Sequence, residues 1–285
     1  MEKSKPKVLV LGATGMAGHV VYNFLDRTKQ YCLYNTVFRK ELNSKSIICD
    51  IRNAGDLEEK IESLRPNYII NCIGALIRES KSNPDNTVLL NSWLPLFLSK
   101  LAVKYNFNLI HISTDCVFSG KKGSYRVDDF RDADDLYGRS KAIGELNNNR
   151  DLTIRTSIIG PELKQNGEGL FHWFLNQDQE VFGFKNAYWS GITTLELAKQ
   201  INFFIENFNP GLINVAPENK ISKYDLLQLL KREFNLNVVI NEECNVIIDK
   251  SLIPSLGITV PSYEVMIKEL YLFMQEWEKL YKHYI

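Results

Sequence analysis

Val8-Leu9-Val10-Leu11-Gly12-Ala13-Thr14-Gly15-Met16-Ala17-Gly18 is the stretch that decides the fold. Four apolar residues in a row, two of them β-branched, read as a strand buried on both faces. His19 to Arg27 (HVVYNFLDR) then carries apolar residues at helical spacing. Between them three glycines stand as G-x-x-G-x-x-G, one residue longer before the second glycine than the usual dinucleotide fingerprint G-x-G-x-x-G. A glycine turn at this junction lets backbone approach a pyrophosphate, which the free N–H groups and dipole of the helix N-terminus then hold. The alternative is a plain strand-to-helix turn, which has no need of three glycines in seven residues. Phosphate binding is the better reading.

Downstream, the second strand ends at Val37-Phe38 and is followed by Arg39-Lys40. An acid at this place would bond the ribose hydroxyl of NAD, whereas arginine suits the 2′-phosphate of NADP. A solvated charge run is the other reading. Asp50, after Ser46-Ile47-Ile48-Cys49, is placed either to reach the adenine edge or to cap a helix over Asn53 to Leu64. Tyr68 to Ala75 (YIINCIGA) is a buried strand that breaks at Asn71 and Gly74, where a flat cofactor could lie against backbone. Leu109 to Asp115 is another, ending in Ser113, Thr114 and Asp115. Ligands bind at the C-terminal ends of parallel strands, although the Thr114 hydroxyl could also bond a neighbouring backbone group. Tyr137-Gly-Arg-Ser-Lys141 sets a phenol and an ammonium at i and i+4, on one helical face. The cation favours the phenolate and draws a group with an ordinary pKa of about 10 towards a useful range. By itself the pair also fits an exposed helix face with a snorkelling lysine.

Strands are expected near 7–12, 32–38, 46–49, 67–73, 107–114 and 151–156, and helices near 16–27, 53–64, 86–105 and 137–148. This alternation predicts an α/β fold, a Rossmann-like doubly wound parallel sheet. After Gly160 it weakens: helices are expected over 169–177, 193–208, 223–234 and 263–281, with strands at 212–215 and 238–240. The expected division is an NAD(P)-binding domain over 1–160 and a smaller substrate lobe over 161–285. The boundary is soft, because strands in such folds return to the main sheet.

Taken together, the motifs resemble the extended short-chain dehydrogenases/reductases, and more narrowly the dTDP-4-dehydrorhamnose reductase group. The resemblance rests on the glycine turn, on Asn71-Cys-Ile-Gly74-Ala75, and on Ser113-Thr-Asp-Cys-Val-Phe118 against that group's S-T-D-Y-V-F. Tyr137-Gly-Arg-Ser-Lys-Ala-Ile-Gly-Glu145 matches Y-G-x-[ST]-K-x-x-G-E, and Arg155-Thr-Ser157 matches R-T-S. Cys116 stands where the group has tyrosine, and Val181 to Thr193 keeps little of its D-Q-x-G-x-P-T stretch. The resemblance implies reduction, by NADPH, of the 4-keto group of a nucleotide-linked 6-deoxy sugar made for surface polysaccharide; NAD stays open as cofactor. It implies Thr114, Tyr137 and Lys141 as catalytic residues. It assigns the cofactor to Gly12, Thr14, Gly15, Met16, Gly18, Arg39, Asp50, Ile51, Cys72, Ile73, Gly74, Ser113, Tyr137 and Lys141. Thr114, Asp115, Cys116, Trp173 and Trp189 are assigned to the nucleotide-sugar substrate. Phe171 and Phe174 either line the same pocket or fill the core of the small lobe. Asn91 matches an asparagine that helps a water relay reach the lysine; a polar group on the helix surface is the other reading. Two rivals remain. One is a sugar-nucleotide 4-epimerase or a dehydratase, although Cys116 breaks the acid pair a dehydratase carries. The other is a non-catalytic NADP-binding subunit like the beta subunit of methionine adenosyltransferase, against which the presence of Tyr137 and Lys141 counts.

Composition agrees. In 285 residues, 34 Lys+Arg balance 34 Asp+Glu, so no basic field invites nucleic acid. Five cysteines without a C-x-x-C read as reduced thiols of a cytoplasmic protein. Four histidines, none in H-x-x-x-H spacing, argue against a metal site. A charged N-terminus that runs into the first strand reads as no signal peptide, and no apolar run approaches the roughly 18 residues of a membrane span. A homodimer is compatible with all of this.

Overall fold

The computed structural model describes residues 5–39 and 41–284. In chain order the first elements are β1 (Lys7–Leu11), α1 (Met16–Thr28), β2 (Cys32–Val37), β3 (Ser46–Ile48), α2 (Ala54–Leu64) and β4 (Tyr68–Asn71). Next come α3 (Ile77–Ser82), α4 (Pro84–Val88), α5 (Leu94–Tyr105), β5 (Asn108–Thr114), α6 (Leu136–Ile143) and β6 (Leu152–Thr156). They are followed by β7 (Ile158–Ile159), α7 (Leu170–Leu175), β8 (Glu180–Phe184), β9 (Ala187–Trp189), β10 (Ile192–Thr193), α8 (Thr194–Glu206) and β11 (Gly211–Asn214). The last are β12 (Ile221–Ser222), α9 (Lys223–Glu233), β13 (Val239–Glu243), β14 (Ile248–Asp249), α10 (Tyr263–Glu276) and α11 (Glu278–Tyr281).

Seven strands form the main sheet in the order β11-β6-β5-β4-β1-β2-β3. β1 pairs in parallel with both β2 and β4, β2 with β3, and β4 with β5. The chain therefore winds outward from β1 on one side and restarts at β4 on the other, which is the Rossmann-like doubly wound arrangement. Such a sheet is covered on both faces, and this is why β1 is apolar from its second residue on: Val8, Leu9, Val10 and Leu11 are all buried. On one face Leu9, Leu11, Ile69 and Leu109 pack with Leu57 and Ile61 of α2 and Leu94, Leu98 and Leu101 of α5. The two-residue period of a strand sends Val8, Val10, Ile70 and Ile110 to the opposite face. Each large side chain so buried contributes about 1.5–3 kcal/mol. Asn53 caps α2, its side chain accepting from Asp56 N at 3.2 Å, so Asp50 is not the cap.

The chain divides into two compact units. The first takes the residues up to Ser113, Asp134–Ile154 and Ala198–Ile213; the second takes Thr114–Ala133, Arg155–Leu197 and the chain from Asn214 onward. Where the sequence places one soft boundary at 160, the chain thus passes between units several times. The main sheet belongs to the first unit except for strand ends at Thr114, Arg155–Thr156 and Asn214. The second unit carries the small sheets β12-β9-β14, β10-β7 and β13-β8. Its core includes Phe171, whose ring meets those of Phe234 at 5.3 Å and Tyr284 at 5.8 Å, edge to face.

Three of the expected helices differ from expectation. The helix expected over 86–105 is α4, a π-helical turn at Leu89–Trp93 and α5. α6 stops at Ile143 rather than 148; Gly144 is its C-cap and lies so close to Asn91 O that no Cβ fits there. The terminal helix breaks at Trp277, which departs from helical geometry at φ −109°, ψ 33°.

Candidate active site

Where the strand order reverses beside β1, a cavity of about 290 Å³ opens at the strand C-termini. Its walls include Gly12, Thr14, Gly15, Phe38, Asp50, Ile51, Arg52, Cys72, Ile73 and Gly74, with Asn86 and Leu90 from the segment before α5. Gly12 has φ +76°, and a Cβ on it would come within 2.7 Å of Ile73 Cγ1. Gly18, in the first turn of α1, packs directly on Gly12 O and leaves no room for a side chain. Gly15 is the N-cap of α1; no side chain caps that end and no acid sits in its first turn. The helix therefore keeps its positive end for an external anion, and Met16 is its first residue. This glycine cradle on an uncapped helix, walled by flat backbone at Cys72–Gly74, fits a dinucleotide.

The far side of the cavity is cationic. Phe38 is half exposed, and the guanidinium carbons of Arg39 and Arg52 stand 4.6 Å and 4.9 Å from its ring centre. Arg52 grips Asp50 in a bidentate pair, Nε to Oδ1 at 2.8 Å and Nη2 to Oδ2 at 2.7 Å. These bonds hold the Asp50 carboxyl below its usual pKa. The carboxylate that the sequence offers to an adenine edge is thus engaged by Arg52, a residue the sequence reading passes over. Lys40 lies outside the described residues.

Asp135 caps α6 by accepting from Gly138 N at 2.7 Å, which fixes the start of the helix carrying Tyr137 and Lys141. Tyr137 is half buried. Lys141 is buried, and its Nζ donates to Ile112 O at 2.6 Å. Burial lowers the Lys141 pKa to about 8, against the raising influence of Glu145 and Cys72. Burial likewise pushes the Cys72 thiol up to about 12, so it stays protonated. Ser113, expected at the cofactor, donates to Glu145 Oε1 at 2.7 Å. Next to them His111 is held well below its ordinary pKa by burial and by Lys141, and its Nδ1 lies 3.1 Å from Asn71 Nδ2.

Asn91 is fully buried in the π turn, so it is not a helix-surface group. Its Oδ1 accepts from Ala75 N at 2.8 Å, and its Nδ2 donates to Ala75 O and to Ser140 Oγ, both at 3.1 Å. The amide ties the loop after β4 to the helix of Tyr137 and Lys141. Single π turns inside helices are frequent at functional sites.

In the second unit the Thr114 hydroxyl donates to Asp115 Oδ1 at 3.1 Å and accepts from Cys116 N at 3.2 Å. Asp115 is buried; desolvation raises its pKa, opposed by Lys250, Ser157, Thr114 and Lys223. Burial pushes the Cys116 thiol up to about 12. Arg155 of the R-T-S motif is a strut: its Nη1 donates to Val127 O and Asn214 Oδ1, both at 3.2 Å, and its guanidinium lies over Phe118 at 4.9 Å. Phe171 and Phe174 are fully buried core residues, whereas Trp173, on the same helix, is 40% exposed. Trp189 is buried, with its ring 5.8 Å from that of Tyr263.

Residues 6–249 match the family described as the RmlD substrate binding domain. The chain belongs to that family. Among relatives of this RmlD-family chain, dTDP-4-dehydrorhamnose reductase of Aggregatibacter actinomycetemcomitans is 28% identical over 141 residues, covering 49% of the chain and 45% of that protein. Methionine adenosyltransferase 2 subunit beta of Xenopus tropicalis is 28% identical over 152 residues, covering 52% and 45% respectively. The chain thus spans about half the length of the curated relatives it matches. A solved structure of a hypothetical dTDP-4-dehydrorhamnose reductase from Sulfolobus tokodaii is 26% identical with a TM-score of 0.77, covering 90% of this chain and 98% of that one. Among the described residues of the RmlD-family chain, no group of three or more His, Cys, Asp or Glu is placed to hold a metal ion. Nor is any described helix long and apolar enough to cross a membrane.

Proposed function

We propose that the protein is a sugar-nucleotide 4-ketoreductase that uses NADPH, acting on a nucleotide-linked 6-deoxy sugar. The observation that carries this reading is the pairing of Tyr137 with a buried Lys141, one turn apart on α6. The first unit is assigned to the cofactor and the second to the nucleotide sugar. Gly12, Thr14, Gly15, Met16 and Gly18 would hold the pyrophosphate, Arg39 the 2′-phosphate, and Ile51 and Cys72–Gly74 the flat rings, with Ser113 nearby. Bound NADPH supplies the hydride that reaches the carbonyl carbon. Tyr137 gives its proton to the developing alkoxide oxygen, so that a ketone becomes a secondary alcohol. Lys141, with a pKa of about 8, is mostly charged at neutral pH and favours the tyrosinate that remains. Thr114 turns its hydroxyl from Asp115 to the same oxygen and donates to it.

The likeness to a methionine adenosyltransferase beta subunit supports a second reading, a subunit that binds NADP without turnover. One assay separates them. The purified protein is mixed with NADPH and a panel of 4-keto-6-deoxy nucleotide sugars, and the absorbance of the reduced nicotinamide is followed. Stoichiometric loss of NADPH with formation of the alcohol supports the reductase. Tight NADPH binding with no oxidation of any sugar's partner cofactor favours the silent subunit, and epimerisation without net NADPH consumption favours a 4-epimerase.

A further inference from the structure

Two buried bonds fasten the end of α6 to the end of β5. Lys141 Nζ donates to Ile112 O at 2.6 Å, and the next residue of the strand, Ser113, donates its hydroxyl to Glu145 Oε1 at 2.7 Å. Lys141 and Glu145 thus grip consecutive residues of β5. Glu145 lies just beyond Ile143, the last residue of α6, and both it and Ser113 are buried. A hydroxyl-to-carboxylate bond of this length, shielded from water, is charge-assisted and about twice as strong as a neutral one. It also directs the Ser113 proton into the protein rather than towards a ligand.

The rest of α6 is anchored elsewhere. Asp135 fixes its first turn through Gly138 N. Asn91 and Ser92 hold Ser140, Nδ2 to Oγ at 3.1 Å and Oγ to O at 2.8 Å. Gly144 has no side chain and packs on Asn91 O, so Glu145 carries the next side chain that can tie the helix to β5. The lysine by itself is a poor fastener, because a flexible four-carbon stem carries a point charge whose direction one bond does not fix. Charge points to the same residue. Glu145 raises the Lys141 pKa, whereas burial keeps Cys72 protonated and His111 neutral.

We propose that Glu145 is a positioning residue, its carboxylate clamping α6 to β5 through Ser113 so that Tyr137 and Lys141 stand where the proton is delivered. Its effect on turnover rests on the reductase reading above; the clamp itself does not. The test uses the full-length protein as wild type, S113A, E145A, the double variant and E145Q, which loses the same charge as E145A but keeps an oxygen for Ser113. With NADPH and a sugar that wild type reduces, kcat per NADPH-binding site should fall about 10–100-fold in S113A and in E145A, and no further in the double variant. E145Q should lose less than about 3-fold, and KM for the sugar should be nearly unchanged throughout. A second readout needs no turnover: the pH titration of Tyr137, taken as the phenolate absorbance of each protein minus that of the same protein carrying Tyr137→Phe. S113A changes no charge, so a midpoint moved to higher pH reports a lysine displaced from the phenol. An unmoved midpoint in S113A would overturn the clamp, as would additive losses in the double variant or an E145Q as impaired as E145A. If wild type reduces no sugar and the S113A midpoint still moves, the reductase reading falls and the clamp stands. Should E145A not fold, S113A and E145Q decide by themselves.

Discussion

Replacing Lys141 by methionine should abolish turnover and yet stabilise the free protein at neutral pH. The lysine is buried, and its pKa falls from the ordinary 10.5 to about 8. At about 1.36 kcal/mol per pH unit, folding disfavours the charged lysine by about 3.4 kcal/mol. Methionine has a similar length and no charge, but it leaves Ile112 O without the donor now 2.6 Å away. That loss costs about 1–3 kcal/mol, so a net gain of about 0.4–2.4 kcal/mol is expected at pH 7. The sign of the pH dependence follows from the two pKa values. Below pH 8 the lysine is charged in both the folded and the unfolded chain, and the whole penalty applies. Between pH 8 and 10.5 the unfolded chain keeps a proton that the folded chain releases, so wild type gains stability as pH rises. Above 10.5 the penalty is gone, and the variant's advantage should have reversed. Urea unfolding of wild type and K141M without cofactor, at pH 7 and pH 10, measures both the size and the slope. A variant that is less stable than wild type by the same amount at both pH values would refute the burial argument.

Tyr137→Phe should lower kcat about 10²–10⁴-fold in the sugar-dependent NADPH assay while leaving NADPH affinity nearly unchanged, because it removes only the proton donor. Thr114→Val should lower kcat less, since Tyr137 still delivers the proton. Arg39→Ala and Arg52→Ala should each narrow the preference for NADPH over NADH in fluorescence titrations, by up to about 1.5–3 kcal/mol for a charge-assisted contact. Equal affinity of wild type for the two cofactors would remove the basis for both. Asn91→Leu leaves Ala75 N and O and Ser140 Oγ without their buried partner. It should cost about 2–4 kcal/mol in urea unfolding and weaken turnover by loosening α6.

The first β-turn-α unit was legible because backbone geometry left its mark on residue type. Gly12 at φ +76° and Gly18 against Gly12 O exclude every side chain, so glycine had to appear at those places. Strands buried on both faces carry runs of apolar residues, which made Val8–Leu11 of β1, Ile69–Ile70 of β4 and Leu109–Ile110 of β5 readable. The spacing of Tyr137 and Lys141 is a property of any α-helix and needed no coordinates either. Strands such as β7, β10, β12 and β14 have two residues each, too few to carry a period, and the sequence reading missed them.

What tertiary structure decided concerns partners far apart in the chain and the loss of water around them. Asn91 became an internal strut because Ala75 and Ser140, 16 and 49 residues away, close on its amide. Arg52 reached Phe38 because β2 and β3 lie side by side in parallel, and it took the Asp50 carboxylate that local sequence left with two roles. Phe171 and Phe174 went to the core and Trp173 to the surface by the direction each faces on one short helix. The sequence by itself determined the doubly wound sheet, the glycine cradle and the Tyr137–Lys141 pair, since those follow from sterics and helical periodicity within a few residues. Only the tertiary structure decided that Lys141 is buried with its pKa near 8, because desolvation is the work of the whole surrounding fold and no short stretch of sequence encodes it.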